Sequence, residues 1–174
     1  MSTGWVFVDV ETTGLNPSWD RVVNVSAVAF DEGGRVAGEL HTLVDPQRDP
    51  GPVHIHGLTK ERLAGSPVFD AIAPEVVALT HGRVLVAHNA RFDVGFLKHH
   101  CAELDLAWPG FEVLDTVKLA RHVVTRDEAP NHKLSSLARV FRSGTTPNHR
   151  ALADARATVD VLHGLMERLG GLGV

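Results

Sequence analysis

A single cysteine, Cys101, stands among the 174 residues. No internal disulfide can form, and no cysteine cluster can hold a structural zinc. Long apolar runs are missing too: none approaches the ~20 residues needed to span a bilayer. The N-terminus has no basic segment followed by an apolar stretch and a small-residue cleavage site, so no secretory signal is expected. No internal repeat, low-complexity tract or linker divides the chain. With 44% hydrophobic and 22% charged residues, these absences point to one globular domain, 1–174, in a reducing, cytoplasmic setting without membrane contact. Cys101 falls in an expected helix and reads as packing.

A general excess of positive charge is also lacking. The net charge is -4, which argues against a uniformly basic nucleic-acid binder. The average hides an asymmetry. Between Thr116 and Arg156 stand eight Lys or Arg and three Asp or Glu, so the rest of the chain carries an excess of nine negative charges. A basic segment and an acidic remainder can face one polyanion if some of the acids hold metal ions.

What is present is an alternating pattern of strands and helices. Trp5–Val10, Arg21–Phe30 and Val36–Val44 read as three strands of an antiparallel meander, with D-E-G-G-R as the turn between the last two. D-P-Q-R-D-P-G-P then breaks the sheet. Ser66 and Pro67 suggest a helix cap and first-turn proline, with the helix running to about Thr80 and stopping at Gly82. Pro74 inside it implies a kink or a later start. Val84–Ala87 is a short strand leading to a helix over Ala90–Cys101. Val113–Leu114 is a last strand before a helix at Thr116, and another helix is expected near Leu134–Phe141. In the final segment Leu152, Ala155, Val159, Leu162, Met166 and Leu169 recur at helical spacing as one apolar stripe. The order implies an α/β mixed sheet with helices packed on its faces.

The chemistry-bearing residues begin in V-D-V-E-T-T-G-L. Alternation on the first strand puts Trp5, Phe7, Asp9 and Glu11 on one face, with Val6, Val8 and Val10 on the other. Two acids at the carboxyl end of a central strand repel each other unless a cation or shared proton intervenes. A third acid, Asp93, lies in A-H-N-A-R-F-D just after the fourth strand. A fourth, Asp154, opens the last helix, five residues after His149. Taken singly, each has an ordinary reading: Asp9 and Glu11 as arginine partners, Asp93 as a helix-dipole partner, Asp154 as a surface acid, His149 as a loop residue. Together, four carboxylates from three segments suit hard divalent cations such as Mg²⁺ or Mn²⁺. Two such ions can clamp the attacking and leaving oxygens of phosphodiester hydrolysis. His149 has the ordinary pKa range of a general base near neutral pH.

F-V-D-V-E-T-T-G-L, H-N-A-R-F-D and H-R-A-L-A-D-A, in this order and spacing, resemble the DEDDh family of 3′→5′ exonucleases over nearly the whole chain. The histidine five residues before the last acid resembles this branch; a sister branch uses tyrosine, which this chain lacks entirely. The resemblance implies a ribonuclease H-like fold, a five-stranded mixed sheet flanked by helices. It implies Asp9, Glu11, Asp93 and Asp154 as ligands of two divalent cations, with His149 as the general base. Thr12, Thr13, Gly14 and Leu15 would line the terminal nucleotide, with Asn89 and Phe92 on the opposite wall. V-H-I-H-G-L-T is similar to a further family segment and makes His56 a substrate contact. The expected partners are 3′ ends of single-stranded DNA or RNA, and a replicative polymerase is a candidate partner. Three readings follow: a DNA 3′→5′ exonuclease of proofreading or repair, an RNA 3′-end trimming enzyme, or a catalytically silent polymerase-docking module. Phosphate contacts from the basic segment are expected, with Arg91 and Arg150 beside the motif acids foremost.

Overall fold

A computed structural model describes residues 4–110 and 112–171 of the chain. Three antiparallel strands come first: β1 (Trp5–Thr12), β2 (Val22–Phe30) and β3 (Val36–Leu43). The valine-rich, β-branched sequences of β1 and β2 suit a pleated surface packed on both faces, whereas β3 is an edge strand with no buried residue. The turn between β2 and β3 closes on the Asp31 carboxylate, which accepts from the Gly33 and Arg35 amides. Two short strands, β4 (Val84–Ala87) and β5 (Val113–Asp115), then add in parallel beside β1. The sheet is five-stranded and mixed, in the order β3-β2-β1-β4-β5.

Single-turn helices α1 (Val53–His56) and α2 (Lys60–Leu63) follow β3, and α3 (Phe69–Thr80) precedes β4. The remaining helices are α4 (Ala90–Glu103), α5 (Thr116–Val123), α6 (Leu134–Val140) and α7 (Ala151–Gly171). The expected alternation along β1 decides which layer each joins. Val6, Val8 and Val10 pack against Ile72 and Val76 of α3 and Phe96 and Leu97 of α4. Phe7 faces the other way, in a cluster with Val86 and Leu162 of α7. Asp9, two residues on, therefore points to the α7 side.

Three expectations are corrected. Ser66 does not cap α3: the helix starts at Phe69, with Val68 as its cap residue and no side-chain cap bond. The later start leaves Pro67 outside and Pro74 within, where the Asp70 carbonyl deprived of its donor belongs to an exposed residue and can be solvated. The apolar stripe of α7 is displaced. Of the expected stripe, Ala155 and Leu162 are buried but Met166 is 47% exposed, and Ala151, Asp154, Thr158, Val161 and Leu165 complete the buried face. Counting apolar residues alone misplaced part of the face, because the polar Asp154 and Thr158 occupy its buried side. Finally, β1 runs two residues beyond Val10, so Asp9 and Glu11 both lie within the strand. A register shift between Glu11 and Thr12 then ends the ladder with β2, the kind of irregularity that re-aims side chains at a sheet rim.

Candidate active site

Where β4 stops at Ala87, β1 continues, and its exposed edge there must find partners. The parallel ladder between the two strands reaches only Phe7 opposite Val86. The Val10 amide is satisfied from above: it donates to Asp93 Oδ1 at 3.0 Å. Asp93, in the first turn of α4, is 3% exposed. The start of α4 is itself held by Asp115 at the end of β5, which accepts from the Asn89 and Ala90 amides at 3.1 and 3.2 Å. The same carboxylate caps α5 through the Val117 amide. Asp115 thereby fixes two helix starts at the rim of the sheet. Its place before T-V-K was a readable N-cap signal, but nothing in the sequence tied it to α4.

Asp154 comes from the opposite layer, on the buried face of α7, and accepts from the Asn148 amide at 2.9 Å. His149 precedes the helix with a left-handed backbone, φ 57°, a conformation histidine enters more readily than most side chains. One ligand atom each of Glu11, His149 and Asp154 lie within 4.8 Å of one another. All five expected catalytic and metal-binding residues, Asp9, Glu11, Asp93, His149 and Asp154, line a single crevice of about 1410 Å³.

The electrostatics of this cluster are unfavourable for a protein left to itself. Burial is the first cause, and it pushes the Asp9 carboxyl well above the usual carboxylate range; Asp93, Asp154 and Glu11 push it further. Glu11 is raised to about 8 by burial, then by Asp154 and Asp93. Asp93 is also raised to about 8, again by burial first, against the lowering effect of the Val10 amide. Asp154 is raised by burial despite its bond from Asn148 and the neighbouring His149. Asp9 Oδ2 is buried with no hydrogen-bond partner. An orphaned anionic oxygen among three more carboxylates is what a hard divalent cation would satisfy, and the all-oxygen acid set fits such an ion.

The expected substrate contacts divide. Asn89 and Phe92 line the crevice. Phe92 also packs against the core, its ring centroid 5.0 Å from that of Phe96. Thr12 ends β1, and Thr13, Gly14 and Leu15 form the loop that leaves it, all four outside the crevice lining. Asp20 organises that loop by accepting from Thr13 Oγ1 at 3.2 Å and the Asn16 amide at 2.9 Å. Gly14 sits so close to it that a Cβ would fall 2.4 Å from Asp20 Oδ1. Thr12 Oγ1 donates to the Gly14 carbonyl, and Leu15 is 84% exposed. His56 is buried, with Nε2 donating to the Pro50 carbonyl at 3.1 Å and Nδ1 accepting from the Leu58 amide at 3.0 Å. Both ring nitrogens are used within the chain, away from the crevice. Arg91 and Arg150 also lie off the crevice lining. Cys101 is buried in α4, its thiol pushed up to about 11 by burial.

The crevice also contains His88 and His132, which sequence reasoning passed over, and Arg121, Arg126 and Lys133, which it included in the basic segment without singling them out. His88 stood inside A-H-N-A-R-F-D and was legible as a neighbour of the site. The others come from a segment with no motif.

The mixed sheet with helices on both faces places the chain in the ribonuclease H-like class of folds. Escherichia coli exonuclease I, solved with a dT13 oligonucleotide, shares that fold, with a TM-score of 0.82 at 22% identity over 98% of this chain and 42% of that one. The exonuclease family model matches residues 6–162. A protein of Mycobacterium tuberculosis (strain CDC 1551 / Oshkosh), provisionally named a bifunctional exonuclease/endonuclease, is 46% identical over 99% of this chain and 28% of its own length. The 3′-5′ exonuclease DinG of Bacillus subtilis (strain 168) is 32% identical over 95% of this chain and 18% of its own length. The chain belongs to the exonuclease family. It spans less than a third of the length of these two relatives, and no helix among the described residues is long and apolar enough to cross a membrane.

Proposed function

We propose that residues 1–174 form a single exonuclease domain that uses divalent cations to remove nucleoside 5′-monophosphates from the 3′ end of single-stranded DNA. The observation that carries this reading is the buried, unpartnered Asp9 Oδ2 at the centre of four mutually repelling carboxylates. Family membership supplies the reaction class. The 3′-5′ polarity in the name of the Bacillus relative and the single-stranded oligonucleotide on the Escherichia enzyme support direction and substrate.

Asp9, Glu11 and Asp154 would hold two Mg²⁺ or Mn²⁺ ions, with Asp93 joining directly or through water. When bound, the pair would stabilise charge on the attacking and leaving oxygens of the phosphodiester. The chain's own groups do the rest. His149, exposed at the mouth, accepts a proton from the attacking water. Asp93 and Asp115 keep the α4 start against the end of β1, so Asn89 and Phe92 present one wall to the terminal nucleotide. Asp20 shapes the loop carrying Thr12 to Leu15, whose exposed Leu15 is free to contact a base. His56 acts on substrate through that neighbourhood: it braces the segment containing Gly51, whose added Cβ would fall 2.0 Å from the Thr13 carbonyl. A replicative polymerase is the proposed partner.

The test uses 5′-labelled single-stranded DNA and RNA with Mn²⁺ or Mg²⁺, and with EDTA. A DNA ladder shortening from the 3′ end, abolished by EDTA, by Asp9→Ala and by His149→Ala, is the expected result. Preferential shortening of RNA would move the substrate assignment to the trimming reaction. Metal-independent activity or internal first cuts would overturn the reading.

A further inference from the structure

The crevice has a second wall that the acid cluster leaves unused. Arg121 stands near the C-terminal end of α5, and Arg126 and Lys133 lie on the segment joining α5 to α6. Of the eight Lys and Arg between Thr116 and Arg156, these three line the crevice. All three are exposed. Among the described residues, no ion pair or side-chain hydrogen bond occupies any of them. Of the two acids on this segment, Glu128 is already engaged by Arg168 at 2.6 Å and by Thr125, and the exposed Asp127, next to Arg126, forms no ion pair among the described residues.

The segment that carries these cations is anchored at several points. His88, just past β4, donates from Nε2 to the His132 carbonyl at 3.0 Å, while its Nδ1 lies 2.8 Å from the Thr116 hydroxyl. His132 reaches the Val124 carbonyl through Nε2 at 3.2 Å. The Asn131 side-chain carbonyl accepts from the Lys133 amide and the Ser136 hydroxyl. Ala129 is buried among Leu137, Val161 and Leu165. Unpaired cations on a backbone tied to the catalytic sheet suit a ligand that is anionic along its length. A solitary phosphate would need only the acid site and its cations. Charges spread from α5 to the start of α6 suit successive phosphates of one strand.

We propose that Arg121, Arg126 and Lys133 form a strand track, holding backbone phosphates next to the phosphodiester being cleaved, without reading base sequence. The track rests on the exonuclease reading for its ligand, a polynucleotide strand. It replaces Arg91 and Arg150 as the principal phosphate contacts. His88 anchors this segment through the His132 carbonyl at 3.0 Å.

The experiment compares two triple variants of equal charge change. Arg121→Gln/Arg126→Gln/Lys133→Gln removes the track. Lys118→Gln/Arg139→Gln/Arg142→Gln removes three exposed charges from the same part of the chain, off the crevice. Both are made in a His149→Ala background and checked for folding by thermal melting. Binding of a 5′-fluorescein oligothymidylate with Mn²⁺ is followed by anisotropy across a range of NaCl. Loss of three contacts lowers the slope of log affinity against log salt by about 2, at roughly 0.7 per contact for single strands. The control triple lowers it by less than half as much. Equal changes in both triples, or an unchanged slope in the track triple, overturn the proposal. Strand shortening by the parent chain is measured separately. If it is absent while the slopes differ, the exonuclease reading falls and the track stands. If strands shorten and the slopes coincide, the track alone falls.

Discussion

The two walls of the crevice solve opposite problems. The acid wall is built at the ends of β1, α4 and α7, and its carboxylates are buried or half-buried and pushed above their ordinary range. The cationic wall is built on an intervening segment, and its charges keep their water. Burial costs a charged group far more than exposure does, so the acid wall holds itself together poorly unless cations arrive. The cationic wall carries no such penalty and contributes little by any single residue. Chemistry that needs fixed geometry is thus placed on rigid elements, and capture of an extended anion is left to exposed, replaceable side chains.

The sharpest way to break this contrast is at Asp9. Asp9→Asn should cost roughly 10³-fold or more in strand hydrolysis, as loss of a group acting on transition-state charge does. It should nonetheless raise Tm in EDTA by a few degrees, at about 2–4 °C for each kcal/mol in a chain of this size. A fall in Tm with activity retained would show that the carboxylate is structural. Next comes His149→Ala, with an expected loss of about 10²–10⁴-fold. Because His149 is exposed, the stability of this variant should stay within the ~0.5 kcal/mol usual for surface changes, about 1–2 °C in Tm.

Third in size is the response to pH. The carboxyls of Glu11 and Asp93 lie at about 8 in the folded chain and near 4 when unfolded. Between those values the folded state binds more protons, so stability must fall as pH rises through that window. Melting curves in EDTA should therefore shift down from pH 5 to pH 8, and Mn²⁺ should raise Tm and flatten the trend, because it binds the ionised folded form. A Tm that climbs with pH in EDTA would contradict the strained acid cluster. The smallest effect belongs to a single track residue. Arg121→Gln should leave Tm unchanged and reduce the salt slope of oligonucleotide binding by roughly 0.7, measured by anisotropy.

The acid wall was legible because its residues sit inside short local patterns. D-x-E on a strand, an acid one turn into a helix after a strand, and H-x-x-x-x-D before an apolar helix each imply a position relative to the sheet. The strands were legible for the same reason, since β-branched alternation is local. The face of α7 was not legible. Its buried side carries Asp154 and Thr158, polar residues that pattern reading assigns to solvent. The start of α3 was missed because a proline-led cap signal competed with the packing of Phe69. The cationic wall carried no motif, and charge counting alone could not select Arg121, Arg126 and Lys133 from eight basic residues in that stretch. His56 shows the reverse case: a motif position whose ring the fold uses to hold its own loop.

By itself, the sequence determined the order of strands and helices, and it placed four acids and a histidine in patterns that imply the rim of the sheet, where like charges repel. Those follow from local periodicity and from the chemistry of carboxylates. Tertiary structure decided which acids lie together, since residues 9, 93 and 154 meet only when β4 stops short beside β1 and α7 packs across the sheet. It also decided which cations face them, through hydrogen bonds from His88 and His132 that join residues 44 and 8 positions apart in the chain. Long-range contacts of that kind depend on packing and leave no repeat in the sequence.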